Sequence, residues 1–309
     1  MLSVLIPIYN INVHPLVAEL QAQLEKSKTE YEIILADDAS TDKSLRYHNG
    51  LLAQQDYVCY MQHDANIGRS ATRNELAEFA VYPYLLFMDC DARVKRDSYI
   101  SDYLNFIEKI KTTETHFAVS GGLDYRNIEP LKNQQLRYKY GVKREVRPAK
   151  DRNRHPYHNF TPFNLLISKS VFDECRFDET LTDYGYEDTF FGLDLESHGI
   201  PVHHIDNELY HDGLDDNRDF LRKINHSVQN LSKLYAAGRV DDRFRAQSRL
   251  VRTWEKIKAK KGGKLLFSTL RFFRKPIIQL ILRYNSLKAM DLYKLSLFDD
   301  LQTADSQNL

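Results

Sequence analysis

Tyr84-Leu-Leu-Phe-Met-Asp-Cys-Asp91 is a short run of strand-forming residues that ends on two carboxylates one residue apart. Five such residues are too few for a helix and suit a buried strand. Working outward, similar runs occur at 4–8, 32–36, 58–62 and 117–120, separated by helix-length segments at 13–26, 44–53, 70–79 and 99–111. Strands alternating with helices in this way predict an α/β fold, a parallel sheet built by right-handed crossovers. The first four runs stop at polar groups: Tyr9-Asn10, Asp37-Asp38, His63-Asp64 and Asp89-Cys90-Asp91. Ligands of open α/β sheets lie beyond the carboxyl ends of the strands, so these groups are expected to share one crevice.

Later segments are less regular. Residues 124–158 are basic and aromatic with no clear period, and read as a loop over the site; 163–168 and 202–206 read as strands and 189–197 as a helix. Beyond residue 215, Phe220, Ile224, Val228, Leu231 and Leu234 recur at helical spacing. The expected division is a catalytic domain over 1–215, with a nucleotide-binding half at 1–120 and an acceptor-binding half at 121–215, followed by a helical extension over 216–309.

The chain has 309 residues, 42% of them hydrophobic, enough for a large core, and a formal net charge of zero. That balance argues against a nucleic-acid partner held by a global positive field. It conceals an acidic body and a basic tail: residues 1–242 carry 28 Lys or Arg against 38 Asp or Glu, whereas 243–288 carry fourteen Lys or Arg and only Glu255 as an acid. Cys59, Cys90 and Cys175 have no paired spacing, so a reducing compartment is expected. The opening MLSVLIPIYN has no basic leader and is too short to span a bilayer, which reads as a first strand of a cytoplasmic protein.

At the strand ends, Asp89 and Asp91 offer the hard oxygen ligands that suit Mg²⁺ or Mn²⁺ bridging a diphosphate. A solvated turn is the alternative, since roughly one or two such triplets arise by chance in a chain of ordinary composition. Asp37 and Asp38 suit a base imide or ribose hydroxyls, or else a turn and a helix cap formed by Asp38 or Ser40. Gly68 stands at a helix start with Ser70 or Thr72 as capping candidates, and Arg69 and Arg73 lie about one turn apart, suited to phosphate or a base carbonyl.

Taken in order, V-L-I-P-I-Y-N at 4–10, D-D-A-S-T-D at 37–42, N-x-G-x-x-x-x-R-N at 66–74 and D-x-D at 89–91 resemble glycosyltransferase family 2, whose fold is GT-A. The resemblance covers residues 1–215. It implies an inverting transferase that uses Mn²⁺ or Mg²⁺ and a nucleoside diphosphate sugar, a UDP-sugar above others, with a glycan or lipid-linked glycan as acceptor. It places Pro7, Tyr9 and Asp38 around the nucleoside, Arg73 and its neighbour Arg69 at base or phosphate, Asp89 at ribose or metal, and Asp91 on the metal. Y-G-Y-E-D at 184–188 is similar to the family's acidic segment, making Asp188 the base and Glu187 its neighbour in the acceptor pocket. Asn164 and residues 165–172 match the strand and helix before it, and His211 falls where relatives place a metal-binding histidine. Cys90 departs from the pattern, which favours a small or polar residue there. Read from the residues alone, Glu187 and Asp188 would simply favour a helix N-terminus.

Two rival readings remain. A sugar-phosphate nucleotidyltransferase would carry a Gly-rich basic loop after the first strand, where this chain has Tyr9-Asn-Ile-Asn-Val-His14. A non-catalytic nucleotide-sugar-binding protein is opposed by intact Asp89, Asp91 and Asp188. In the tail, residues 250–285 interleave large apolar groups with cations, which suits a helix in an anionic bilayer interface at the inner face of the cell membrane. Pro276 is expected to interrupt it, and the alternative is a helical hairpin packed on the catalytic domain or a partner subunit. The acceptor pattern for glycosylation at Asn159 is given no weight.

Overall fold

The computed structural model describes residues 1–158 and 160–305, so Asn159 and residues 306–309 lie outside the account. The described residues form two compact units. The first comprises the described residues of Met1–Arg126, Glu145–Thr182 and Glu187–Gly213; the second comprises Asn127–Arg144, Asp183–Tyr186 and the described residues from Leu214 onward.

The first unit holds strands β1 (Leu2–Ile8), β2 (Tyr31–Asp37), β3 (Val58–Gln62), β4 (Tyr84–Met88), β5 (Ala92–Val94), β6 (Ala118–Ser120), β7 (Leu123–Asp124), β8 (Asn164–Ser168), β9 (Val202–His204) and β10 (Leu209–His211). Its first helices are α1 (His14–Ser27), α2 (Lys43–Gly50), α3 (Arg69–Phe79) and α4 (Tyr99–Ile110). The main sheet runs β3-β2-β1-β4-β8-β6-β9. Strands β3, β2, β1 and β4 are parallel, and β8 enters antiparallel to both β4 and β6. The sheet is therefore mostly parallel, and its order reverses between β1 and β4, the place where such sheets open a ligand crevice.

Side chains alternate across the pleat and divide the core in two. Val4, Ile6 and Ile8 of β1 face Leu16, Leu20 and Leu24 of α1 and Tyr99, Tyr103 and Ile107 of α4, whereas Leu5, Ile34 and Phe87 face Leu76 and Ala77 of α3. The spacing of these helical residues puts one apolar stripe on each helix. Where β8 enters, Asn164 is fully buried and satisfies all its hydrogen-bonding capacity. Its Oδ1 accepts from the hydroxyls of Tyr99 and Tyr103, each at 2.7 Å, and its Nδ2 donates to the carbonyls of Gly122 and Asn207, each at 2.8 Å.

Three short strands escape a sequence reading. β5, β10 and β7 form a second sheet, in which β10 pairs antiparallel with β5 and sets His211 opposite Ala92. The 124–158 stretch, expected as a loop, contains helix α5 (Gln135–Tyr140), a π-turn over Gly141–Glu145 and α6 (Ala149–Arg152). Arg152 of α6 is buried and donates to the carbonyls of Ser120 (3.0 Å) and Ile205 (2.7 Å), which fixes this short helix without any apolar period. Helices α7 (Lys169–Glu174) and α8 (Glu187–Ser197) complete this unit.

In the second unit, α5 is joined by α9 (Asn217–Ala236), α10 (Asp242–Gln247), α11 (Arg249–Lys258), α12 (Gly263–Phe272), α13 (Arg274–Tyr284) and α14 (Leu287–Asp305). Phe220, Ile224, Val228 and Leu231 are buried on α9, as their spacing predicts, and Trp254 of α11 donates to Asp299 of α14 at 3.0 Å. The 264–284 stretch is interrupted beside Pro276, as expected. The proline lies in the first turn of α13, where its missing N–H costs nothing, and the chain breaks before it at Phe273. No helix among the described residues is long and apolar enough to cross a membrane.

Asn164→Leu would leave two hydroxyls and two carbonyls without partners in the core. We expect a loss of about 3 kcal/mol or more in urea unfolding, well beyond the cost of a volume change of that size.

Candidate active site

The turn after β4 is built by its backbone. Asp89 N–H donates to the Phe163 carbonyl at 3.3 Å, and Ala92 N–H returns to the Asp89 carbonyl at 3.1 Å. This curl sends Asp89 and Asp91 out at the carboxyl edge of the sheet with different partners.

Asp89 meets Arg73 of α3, whose Nη2 donates to it at 2.7 Å. Burial works to raise the Asp89 pKa, but Arg73 and then Arg69 outweigh it and hold the carboxyl below the usual range. Arg73 is only 2% exposed and lies over the Phe177 ring at 5.4 Å. Its Nε and Nη1 have no hydrogen-bond partner among the described residues. Asp91 instead faces His211, with Nε2 3.5 Å from Oδ2. Burial raises the Asp91 pKa, His211 opposes that shift, and the Asp89 charge adds to it. His211 is stacked on Phe163 at 5.3 Å. A Cβ on Gly213 would stand 2.1 Å from Asp91 Oδ2, so any other residue there would displace the Asp91 carboxylate. Cys90 is an inert thiol, its pKa pushed up to about 12 by burial and by Asp91.

Helix α3 begins at Gly68, whose φ of 88° is open to glycine and strained for other residues. Gly68 takes the capping position expected of Ser70 or Thr72; the Thr72 hydroxyl instead donates back to the Gly68 carbonyl at 2.8 Å. The loop before α3 is tied down by Asp38, which accepts from Ile67 N–H (2.7 Å) and Gly68 N–H (3.0 Å). His63 also bonds Asp38 at 3.0 Å and reaches Glu75 on its other side. Burial would lower the His63 pKa, but these two acids prevail and raise it. Asp37 is fully buried and accepts from Ser40 N–H at 2.7 Å, the turn expected of it. The cap of α2 is Asp42, not Asp38 or Ser40, and it accepts from Ser44 and Leu45 N–H. Pro7 is half-buried near the end of β1, and Tyr9 just beyond is 47% exposed.

Glu187 and Asp188 open α8. Arg69 lies 3.5 Å from Glu187, so the two arginines of α3 reach one acid each. Asp188 accepts from Thr189 N–H at 2.7 Å. Its pKa is raised to about 6, by burial first and by the Glu187 charge second, with Thr189 and Arg73 only partly offsetting them. Within the second unit, the preceding Asp183–Tyr186 segment is held by α9, where Asn230 donates to the Gly185 carbonyl at 2.9 Å and Lys233 to Asp183 at 2.7 Å.

The structure thus brings Asp89 to Arg73, Asp91 to His211 and Glu187 to Arg69, all within one unit. Sequence reasoning missed Phe163, Gly213 and the Asp38–His63–Glu75 chain; an Asp-Gly pair shortly after a histidine was the only hint of the close approach at Gly213. Among the described residues, the group of three side chains whose metal-ligating atoms all lie within 4.8 Å is elsewhere, at Cys175, Asp194 and His198. Its chemistry is that of a hydrogen-bonded cluster. Burial and Asp194 push the Cys175 thiol up to about 12, and His198 Nδ1 is engaged by the Asp194 carbonyl at 2.9 Å.

A mostly parallel sheet with a switch point at β1 and β4, a carboxylate pair beyond β4 and an acidic helix start define a GT-A nucleotide-sugar fold. The glycosyl transferase family 2 model matches residues 3–176, and the chain belongs to that family. It is 31% identical over 116 residues to an uncharacterized glycosyltransferase of Haemophilus influenzae, an alignment covering 38% of this chain and 46% of that relative. It is 32% identical over 106 residues to a poly(ribitol-phosphate) beta-glucosyltransferase of Bacillus spizizenii, covering 33% of this chain and 16% of the relative. The chain therefore spans less than half the length of these curated relatives. A mannosyltransferase from Pyrobaculum calidifontis, solved in complex with GDP-Man and Mn²⁺, shares the fold with a TM-score of 0.57 at 14% identity, covering 99% of this chain and 86% of that one.

Because folding raises the Asp188 pKa above its ordinary 3.8, ionised Asp188 is penalised above about pH 6 and the penalty vanishes below the ordinary carboxylate range. Asp188→Asn should then stabilise the protein near neutral pH by about 1–2 kcal/mol once partial exposure is allowed for, seen as a higher melting temperature. The gain should disappear as pH falls to about 4 in parallel melts.

Proposed function

We propose that this protein transfers a sugar from a nucleoside diphosphate sugar, a UDP-sugar in our reading, to a hydroxyl of a glycan or lipid-linked glycan acceptor. Transfer is a single displacement with inversion at the anomeric carbon, carried out by residues 1–215 with 216–309 as a helical extension. The observation that carries this reading is that helix α3 reaches two acidic sites, through Arg69 at Glu187 and through Arg73 at Asp89. One holds a carboxylate tuned as a base, Asp188. The other is a carboxylate pair held against Arg73 and His211.

In this reading the Tyr9 ring stacks on the base. Asp38 Oδ2 accepts one N–H within the protein and has capacity left for an imide N–H of uracil. Arg73 lends its charge to the diphosphate from behind Asp89, and half-exposed Arg69 stands beside it and orients Glu187. Asp188 takes the proton of the acceptor hydroxyl as that oxygen attacks; a pKa near 6 makes it a stronger base than an ordinary aspartate while leaving it ionised at neutral pH. The 3.5 Å approach of Asp91 to His211 fits two ligands of one divalent cation, so these residues would hold Mn²⁺ or Mg²⁺, with Asp89 shared between the ion and ribose. When bound, such an ion neutralises charge on the departing diphosphate. The glucosyltransferase among the relatives supports a polymer hydroxyl as acceptor.

The test is chromatographic detection of free nucleoside diphosphate from a panel of sugar nucleotides and acceptors with Mn²⁺. Release from a UDP-sugar is expected, and no release from any donor would contradict the proposal. Asp188→Asn should lower kcat by about 100-fold or more without a matching rise in KM. In pH–rate profiles the acid limb should fall near pH 6, where Asp188 becomes protonated. Glu187→Gln should move that limb to lower pH, because removing the neighbouring charge eases ionisation of Asp188.

A further inference from the structure

The second unit carries a surface that the transfer reaction does not explain. Helix α12 buries only Gly263, Phe267 and Leu270, and α13 buries Ile277 and Ile281. Their other faces expose Leu265 (72%), Phe272 (80%), Phe273 (49%), Leu280 (46%) and Tyr284 (59%). Leu266 is exposed as well (42%), and the Phe272 and Phe273 rings meet at 5.0 Å; single exposed apolar residues are common, but this many within one short segment call for a partner.

Charge identifies the partner. No Asp or Glu occurs between Glu255 and Asp291. Seven of the ten cations in this interval fall into two sets. Lys258, Arg271 and Arg274 turn toward α14 and are neutralised by Asp299 and Asp300. Lys260, Lys261, Lys264 and Lys275 are exposed and have no acidic partner among the described residues. A protein surface would have to offer both an apolar groove and a matching set of acids. An anionic lipid bilayer offers both over any area, with acyl chains for the aromatic groups and headgroups for the lysines. None of these helices can span a bilayer, so the contact is confined to its surface.

We infer that the exposed face of α12 and α13 docks the protein on an anionic membrane surface. Phe272 and Phe273, at the break between the two helices, enter the headgroup boundary, while Lys260, Lys261, Lys264 and Lys275 lie on the lipid phosphates. The inference is independent of the transferase reading, because binding to vesicles requires no turnover.

Co-sedimentation of the full chain with vesicles tests it. Partition onto phosphatidylglycerol–phosphatidylcholine vesicles should exceed that onto pure phosphatidylcholine by about tenfold or more, and should weaken as salt rises. Phe272→Ser combined with Phe273→Ser should reduce partition by about tenfold or more while the melting temperature is kept, since both side chains are exposed. Lys260→Ser, Lys261→Ser and Lys264→Ser together should bring binding to anionic vesicles down toward the neutral-lipid level. Equal or absent binding of the native chain to both vesicle types would overturn the inference. So would a folded phenylalanine double variant that binds normally. A lipid-free dimer dispersed by that double variant would assign the face to a second copy of the chain and also overturn it.

Discussion

The ion pair between Arg73 and Asp89 is the constraint on which the site depends. It joins the first turns of α3 to the end of β4, beside the point where the sheet changes winding direction. A nearly buried guanidinium is costly unless its charge is answered, and Asp89 answers only one edge of it. Two of its N–H groups lack partners among the described residues and are closed to solvent, an arrangement that loses free energy. With Asp89 held by Arg73, Asp91 is left to His211, and Arg69 one turn earlier reaches Glu187. One helix therefore sets the position of both acidic groups.

The same logic applies to Asp188. Its environment opposes ionisation through burial and through Glu187, which costs stability at neutral pH and gives basicity in return. The fold supports this cost with a saturated core. Asn164 binds four groups at once, and Arg152 binds the carbonyls of Ser120 in β6 and of Ile205 just after the neighbouring β9.

How much of this was legible in the sequence follows from the length of each element. β1, β2, β3 and β4 carry five or more strand residues between turns, so their positions could be read to within a residue or two, and with them the strand ends that bear Tyr9, Asp37, Asp38 and Asp89. β5 and β10 have three residues each, too few to show a period, yet they bring His211 to Asp91. Only family resemblance pointed to that histidine. Helix α6 was missed because one buried arginine anchors it in place of an apolar stripe. The cap of α2 was misassigned because D-D-A-S-T-D holds several residues able to cap, and the tight turn made by Asp37 and Ser40 decides among them. The break beside Pro276 was legible, because a proline admits a helix only in its first turn, so α12 ends at Phe272 and α13 starts at Arg274.

The central claim is that the carboxylates after β4, together with His211, form a centre at which a divalent cation and a nucleoside diphosphate bind cooperatively. Calorimetric titration of UDP into the protein, with and without Mn²⁺, measures that coupling directly and requires no turnover. The account predicts that Mn²⁺ tightens UDP binding by about tenfold or more, and that the enhancement is lost in Asp91→Asn and His211→Ala while metal-free affinity is kept. UDP binding indifferent to Mn²⁺, or an enhancement that survives in both variants, would contradict it.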